Sequence, residues 1–315
     1  MSELVDKSTK SIKSIKSIES NKPIKCDSAA VVGAQLQVRD ITVQGAAGPL
    51  AARTYSAAIA GNRQDSLIVF FHGGGFDTGN LDDAHEFLNH LAVGNPGQLV
   101  LSANYTLATA QPFPAAVEDA YAVLLWARKN KVRLGWTGKQ LIVSGIEAGA
   151  NLAAVCTLMA RDRGAPALDG QILIMPMLDP GLNTCSMRAM PAPELLEVAD
   201  ACAAAYRGYL PNAADRIHPY ASPLQSSRLK NLPAALILSA DDDPLRDEAE
   251  QYGAKLINAG VNTTVHRLPP APLQEPGARN ECACRVYVLG AIAAFLGGLE
   301  QRLASSVNAR SAGST

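Results

Sequence analysis

The stretch Leu36-Gln37-Val38-Arg39-Asp40-Ile41-Thr42-Val43 alternates apolar and polar side chains, the period of a strand with one face on a core and the other in water. Residues 50–55 can pair with it as an antiparallel neighbour. The pattern then changes to short, almost wholly apolar runs at 67–71, 99–101, 141–143, 172–175 and 235–238. Such runs are buried on both faces, as are the strands of a parallel sheet covered by helices. Segments 83–93 and 115–129 between them carry helical spacing, with Pro114 near the start of the second, where a missing amide hydrogen costs little. A last helix is predicted over 285–303. Over 180–225 the rhythm breaks into Ala-, Met- and Pro-rich sequence with a helical patch at 194–209, which predicts an inserted cap over the carboxyl edge of the sheet, where ligands bind in such folds.

One α/β domain over 35–303 follows, with a mostly parallel central sheet flanked by helices and a helical cap at about 180–225, to which part of the N-terminal segment contributes. Residues 304–315 read as a frayed tail. Residues 1–34 read as a solvated basic tail, because the Lys-Ser-Ile repeat between Lys10 and Glu19 spaces its isoleucines three apart and builds no coherent apolar face. That segment also lacks the continuous apolar core of a secretory signal.

Composition narrows the function classes. Lys and Arg number 28 against 29 Asp and Glu, so no basic field recruits nucleic acid. The apolar stretch around 286–299 is short and interrupted by glycines, so no membrane span is expected and a cytoplasmic location follows. Cys26, Cys156, Cys185, Cys202, Cys282 and Cys284 form no framework spacing; Cys282 and Cys284 read as ordinary thiols rather than a metal or redox pair. No metal or cofactor is expected. Met175, Met177, Met187 and Met190 cluster around the cap and could either line an adaptable apolar pocket or fill core.

Chemistry concentrates in a few motifs. His72-Gly73-Gly74-Gly75-Phe76 follows a buried strand, where glycines let backbone N–H groups converge on one point, as an oxyanion hole requires. Gly145-Ile146-Glu147-Ala148-Gly149 stands between a buried strand and a helix, the setting of the G-x-S-x-G nucleophile elbow, with a glutamate in the serine's place. Asp243-Pro244-Leu245-Arg246-Asp247-Glu248 follows a later strand.

In these motifs the chain resembles the hormone-sensitive-lipase-like (GDXG) branch of the α/β-hydrolase fold carboxylesterases, over roughly residues 35–303. His72 to Phe76 is similar to that family's oxyanion loop, with Ala148 adding a further N–H. Gly145 to Asn151 resembles its GDSAGGN elbow, Pro219 to Leu224 a segment before its acid strand, and Asp243 to Glu248 its DPLRDE signature, whose first aspartate is the triad acid. The resemblance also marks departures. Glu147 stands at the serine position, Leu273 best fills the place of the triad histidine, and Thr106 and Ala110 replace the arginine and glutamate that brace the family's site. Nucleophile, base and bracing residues are absent together. The pattern implies a lineage that left serine chemistry, with a precedent in the plant gibberellin receptors, which share the fold and lack the triad histidine.

Several chemistries stay open on the sequence. Glu147 could act as a carboxylate nucleophile, but turnover needs a base, and His72, His85, His90, His218 and His266 offer none in an obvious position: His72 reads as structural, His85 and His90 as surface residues, and His266 as part of the last strand. Glu147 and Asp243 could approach and share a proton or hold a cation; the simpler reading leaves Asp243 satisfying N–H groups of its own loop. Glu147 could also fold back onto the N–H groups of Gly73, Gly74 and Ala148. The leading expectation is a non-hydrolytic pseudo-esterase that binds a small apolar or ester-like molecule. The rivals are a weak ester hydrolase or non-hydrolytic enzyme using Glu147 and Asp243, and a structural partner in an assembly.

Overall fold

The computed structural model describes residues 35–58, 63–188, 193–270 and 278–312. In chain order its elements are β1 (Gln35–Gln44), β2 (Pro49–Ala58), β3 (Gln64–Phe71), α1 (His85–Gly94), β4 (Gln98–Ala103), α2 (Ala115–Lys129), α3 (Lys131–Leu134), β5 (Trp136–Ile146), α4 (Ala148–Arg163), β6 (Gly170–Ile174), α5 (Cys185–Arg188), α6 (Pro193–Tyr209), β7 (Ala234–Ala240), α7 (Arg246–Asn258), β8 (Thr263–Leu268), α8 (Ala278–Ala283) and α9 (Val286–Ala312). The strands form one sheet in the order β1-β2-β4-β3-β5-β6-β7-β8. The alternating β1 and the β2 that follows it make antiparallel pairings, and the apolar runs pair in parallel. This is the mostly parallel, helix-flanked architecture that the resemblance implies.

Side chains alternate between two cores, as the period of two requires. Leu67, Val69, Phe71, Leu141, Val143 and Leu173 face α2 and α4, while Ile68, Phe70, Ile142, Ile172 and Ile174 face α1, α8 and α9. Each such side chain contributes about 1.5–3 kcal/mol by leaving water. Met175, Met177 and Met187 are buried in these cores; Met190 lies outside the described residues.

The parallel register brings the carboxyl ends of the strands into line. Phe71 at the end of β3 pairs with Gly145 of β5, Gly145 with Leu173 of β6, and Ile174 with Leu238 of β7. The loops after β3, β5 and β7, which hold His72, Glu147 and Asp243, therefore leave the sheet at one edge. Helix α6 packs there, with Cys202, Ala205, Tyr206 and Tyr209 joining the same core as Phe76.

The C-terminus corrects two expectations. Helix α9 continues to Ala312, so 304–312 is helical and not a frayed tail. Gly290, Gly297 and Gly298 do not interrupt it, and Val286–Ser305 is long and apolar enough to cross a membrane by length and composition. Isolated helix glycines cost about 1 kcal/mol each, which a packed face outweighs. Val288, Ile292, Leu296 and Leu299 are that face, buried against the sheet layer. The Lys-Ser-Ile segment of 1–34, and any share it has in the cap, lie outside the described residues.

Candidate functional site

Glu147 sits at the tip of the turn between β5 and α4 with φ 54 and ψ −113, a conformation an L-residue adopts at a cost of about 1–3 kcal/mol. Close backbone packing enforces it. A Cβ on Gly145 would lie 2.2 Å from the carbonyl carbon of Gly149, and one on Gly149 would lie 2.0 Å from the carbonyl oxygen of Phe71. Strand and helix can meet this closely only through glycines. Backbone bonds tie the turn down: Glu147 N–H donates to Ile174 O at 3.0 Å, and Glu147 O accepts from Met177 N–H at 3.2 Å. Asn151, one turn into α4, donates through Nδ2 to Met177 O at 2.7 Å and to Ala221 O at 3.2 Å, fixing the segment from Pro219 to Leu224 behind the elbow.

The glycine-rich loop curls over this tip. Gly74 and Gly75 have φ of 107 and 61, and Phe76 follows at 69. Tyr105 OH donates to His72 O at 3.1 Å, and the two rings stack with centroids 4.4 Å apart. His72 Nδ1 lies 2.7 Å from Gly73 O, which can only accept, so Nδ1 carries the proton. Burial holds the imidazole below its usual pKa against the pull of that carbonyl, Asp83 and Glu147. His72 and Phe76 are wholly buried beneath the loop, Phe76 stacking on Tyr209 of the cap at 3.8 Å.

The Glu147 carboxylate reaches into the loop. Gly74 N–H donates to Glu147 Oε2 at 2.8 Å. Gly73 provides the room: a Cβ there would stand 2.9 Å from the same oxygen. Of the three N–H groups expected to converge, Gly74 is the one that forms this bond among the described residues.

Asp243, at the end of the loop after β7, is buried. Its Oδ1 accepts the N–H of Leu245 at 2.9 Å, so it does serve its own loop. It also does more, since Arg279 Nη2 donates to the same oxygen at 3.0 Å, while Arg279 Nη1 stands 4.0 Å from Glu147 Oε1. The guanidinium thus bridges the two carboxylates, and the cation that they hold belongs to the chain itself. Burial raises the Asp243 carboxyl above its ordinary pKa, opposed by Arg279 and the Leu245 N–H and reinforced by Glu147. Burial works against the charge on Arg279, but Asp243 and then Glu147 outweigh it, and the group is held more firmly protonated than usual.

Arg279 is the residue that the motifs do not disclose. It opens α8, six positions after Leu273, which itself lies outside the described residues. No described histidine stands between Glu147 and Asp243. His266 lies on the edge strand with Nδ1 3.4 Å from Tyr287 OH, and His218 packs on Phe113 and Tyr220. His85 and His90 are partly exposed on α1, with Tyr55 OH 3.2 Å from His85 Nδ1 and Glu86 Oε1 3.8 Å from His90 Nε2. Thr106 turns away to Asp119, with its Oγ1 donating to Oδ2 at 2.6 Å. Among the described residues no group of three or more His, Cys, Asp or Glu could hold a metal ion.

The ion cluster makes a stability prediction. Arg279→Leu leaves the buried Asp243 and the half-buried Glu147 without their cation, at an expected cost of about 3–5 kcal/mol at pH 7. The folded-state pKa of Asp243, already raised, rises further in the variant. Stability is then present in acid and lost as pH increases through that pKa, so the deficit shrinks between pH 7 and pH 5. Urea melts of both proteins at the two pH values check this; a deficit equal at both would assign the loss to packing alone.

Comparison with known proteins places the fold that carries these residues. A family model described as alpha/beta hydrolase fold matches residues 68–272. The chain is 34% identical over 241 residues to esterase LipI of Mycobacterium tuberculosis, covering 74% of this chain and 72% of that one. It is 31% identical over 232 residues to an arylesterase of Saccharolobus solfataricus, covering 74% of each. Among solved structures, an esterase of Pyrobaculum calidifontis superposes with a TM-score of 0.72 at 35% identity, covering 85% of this chain and 86% of the other.

Proposed function

Because this chain belongs to the α/β-hydrolase fold family, in its hormone-sensitive-lipase-like branch, we propose that it is a non-hydrolytic, small-molecule-binding pseudo-esterase whose oxyanion site is filled by its own elbow side chain. The observation that carries this reading is the bond from Gly74 N–H to Glu147 Oε2 at 2.8 Å. In an active relative that position belongs to the oxygen of a reacting carbonyl, and the donors work only when they are free to meet it. Here the chain's own carboxyl group uses the donor, and Arg279 spans the gap to Asp243 that a proton-carrying imidazole would span. Neither arginine nor leucine takes a proton from a nucleophile at neutral pH. What supports a retained pocket is partial access: the Glu147 and Arg279 side chains keep 16% and 14% of their exposure, beneath an aromatic cap.

The reading is tested by emptying the site. Glu147→Gln removes the negative charge while keeping the size, so acetate, propionate and butyrate should bind the variant and be rejected by the native protein, a difference of at least tenfold by calorimetry, on the scale of one hydrogen bond to a charged group. Equal affinities would mean that Glu147 does not occupy the oxyanion site in solution.

A further inference from the structure

A surface cavity of about 300 Å³ opens between α4 and the chain from His218 to Arg228, at the small end of the range for ligand pockets. Leu158 lines it from α4, about three turns and about 16 Å along the helix axis from Glu147, so the cavity stands apart from the elbow.

The one carboxylate in its wall is already engaged. Asp162 Oδ1 accepts from Arg161 Nε at 2.9 Å and from Nη2 at 2.7 Å, and Oδ2 accepts from Tyr220 OH at 3.0 Å. Burial raises the Asp162 pKa, but the bonds from Arg161 and Tyr220 and the charges of Arg161 and Arg228 outweigh it, so the group is ionised and cancels Arg161. Arg161 Nη1 also donates to Arg228 O, which ties the loop holding Arg228 to α4.

Donors, by contrast, are unspent. Arg228 is exposed in the cavity wall, close enough to Asp162 for its charge to act there, and its guanidinium makes no hydrogen bond or ion pair among the described residues. The Ser227 hydroxyl beside it has no partner among them either. Ser226 Oγ accepts the N–H of Arg228 at 3.3 Å, which leaves its own hydrogen to donate. Tyr220 N–H donates to His218 Nδ1 at 3.1 Å, so the neutral imidazole carries its proton on Nε2. Leu158, Pro219 and the Tyr220 ring supply the apolar part of the wall.

We infer that this cavity binds a small phosphate monoester, its phosphoryl group on Arg228, Ser227 and His218 and its apolar body against Leu158, Pro219 and Tyr220. The lining carries one uncancelled positive charge, which an anion neutralises. A guanidinium fork meets two oxygens at once, and the third oxygen of a phosphate uses donors that a carboxylate would leave over. A cationic ligand meets Arg228 with no free carboxylate to offset it. The inference does not rest on the pseudo-esterase reading.

Phenyl phosphate, benzoate, phenol and inorganic phosphate, titrated calorimetrically into the intact protein at neutral pH and low salt, test it. Phenyl phosphate should bind at least about tenfold more tightly than each of the others, the scale of one hydrogen bond between charged groups. Arg228→Gln, a change at an exposed loop position, should lower that affinity about tenfold or more. Lys230→Gln removes the same charge from an exposed residue outside the cavity wall and should leave the affinity unchanged. Equal losses in the two variants would reduce the binding to general attraction by a basic surface and overturn the site. Benzoate or inorganic phosphate binding as tightly as phenyl phosphate overturns the monoester assignment, and so does phenyl phosphate that fails to bind at millimolar concentration.

Discussion

The purified protein is expected to resist fluorophosphonate probes and to turn over short-chain p-nitrophenyl esters about a millionfold more slowly than an intact serine esterase. That figure is the scale of losing the triad as a unit, with only oxyanion and binding effects left. Here even the oxyanion contribution is reduced, because Gly74 N–H is engaged by Glu147. Mass spectrometry after probe treatment and an esterase assay over a range of protein concentrations check the point. Stoichiometric labelling of any serine near the elbow, or turnover at ordinary esterase rates, would sink the pseudo-esterase reading.

The second large effect concerns reactivation. Glu147→Ser supplies a hydroxyl without a base, and the double variant Glu147→Ser with Leu273→His supplies a base whose acid is taken, since Arg279 already bonds the Asp243 oxygen at 3.0 Å. An imidazole without its orienting carboxylate loses about 10⁴ in kcat. Single and double variants should therefore stay near background, and adding Arg279→Ala to the double should raise kcat/KM by about 10²–10⁴, the contribution of general-base catalysis. A double variant that equals the triple would show that Arg279 does not compete for Asp243. A single serine substitution with full turnover would show that another residue serves as base.

How much of this was legible from residues alone depended on whether the signal was local. Helix α2 follows from its apolar spacing and its proline start, and the buried strands from runs that no half-exposed strand would carry. The elbow and glycine loop were legible because only glycine permits their close contacts. The end of α9 is not legible in the sequence, since glycines and serines weaken helical signal without stopping a helix that has a face to bury. Arg279 escaped because its role lies in the path of the chain between β8 and α9 and not in any motif. A charge argument could have found it. A family site that loses its imidazole and gains a second carboxylate calls for a fixed cation, and Arg279 is the first basic residue after Leu273.

The elbow separates the residues that hold the shape from the residue that would react. Gly145 and Gly149 are pinned by backbone contacts that leave no space for a methyl group, whereas the side chain at 147 projects past that packing and meets Gly74 and Arg279. Mutational drift consequently meets a steep barrier at the two glycines and a shallow one at the reactive position between them. On the pseudo-esterase reading, an architecture built this way can change the residue that reacts while the packing that holds the turn stays as it is.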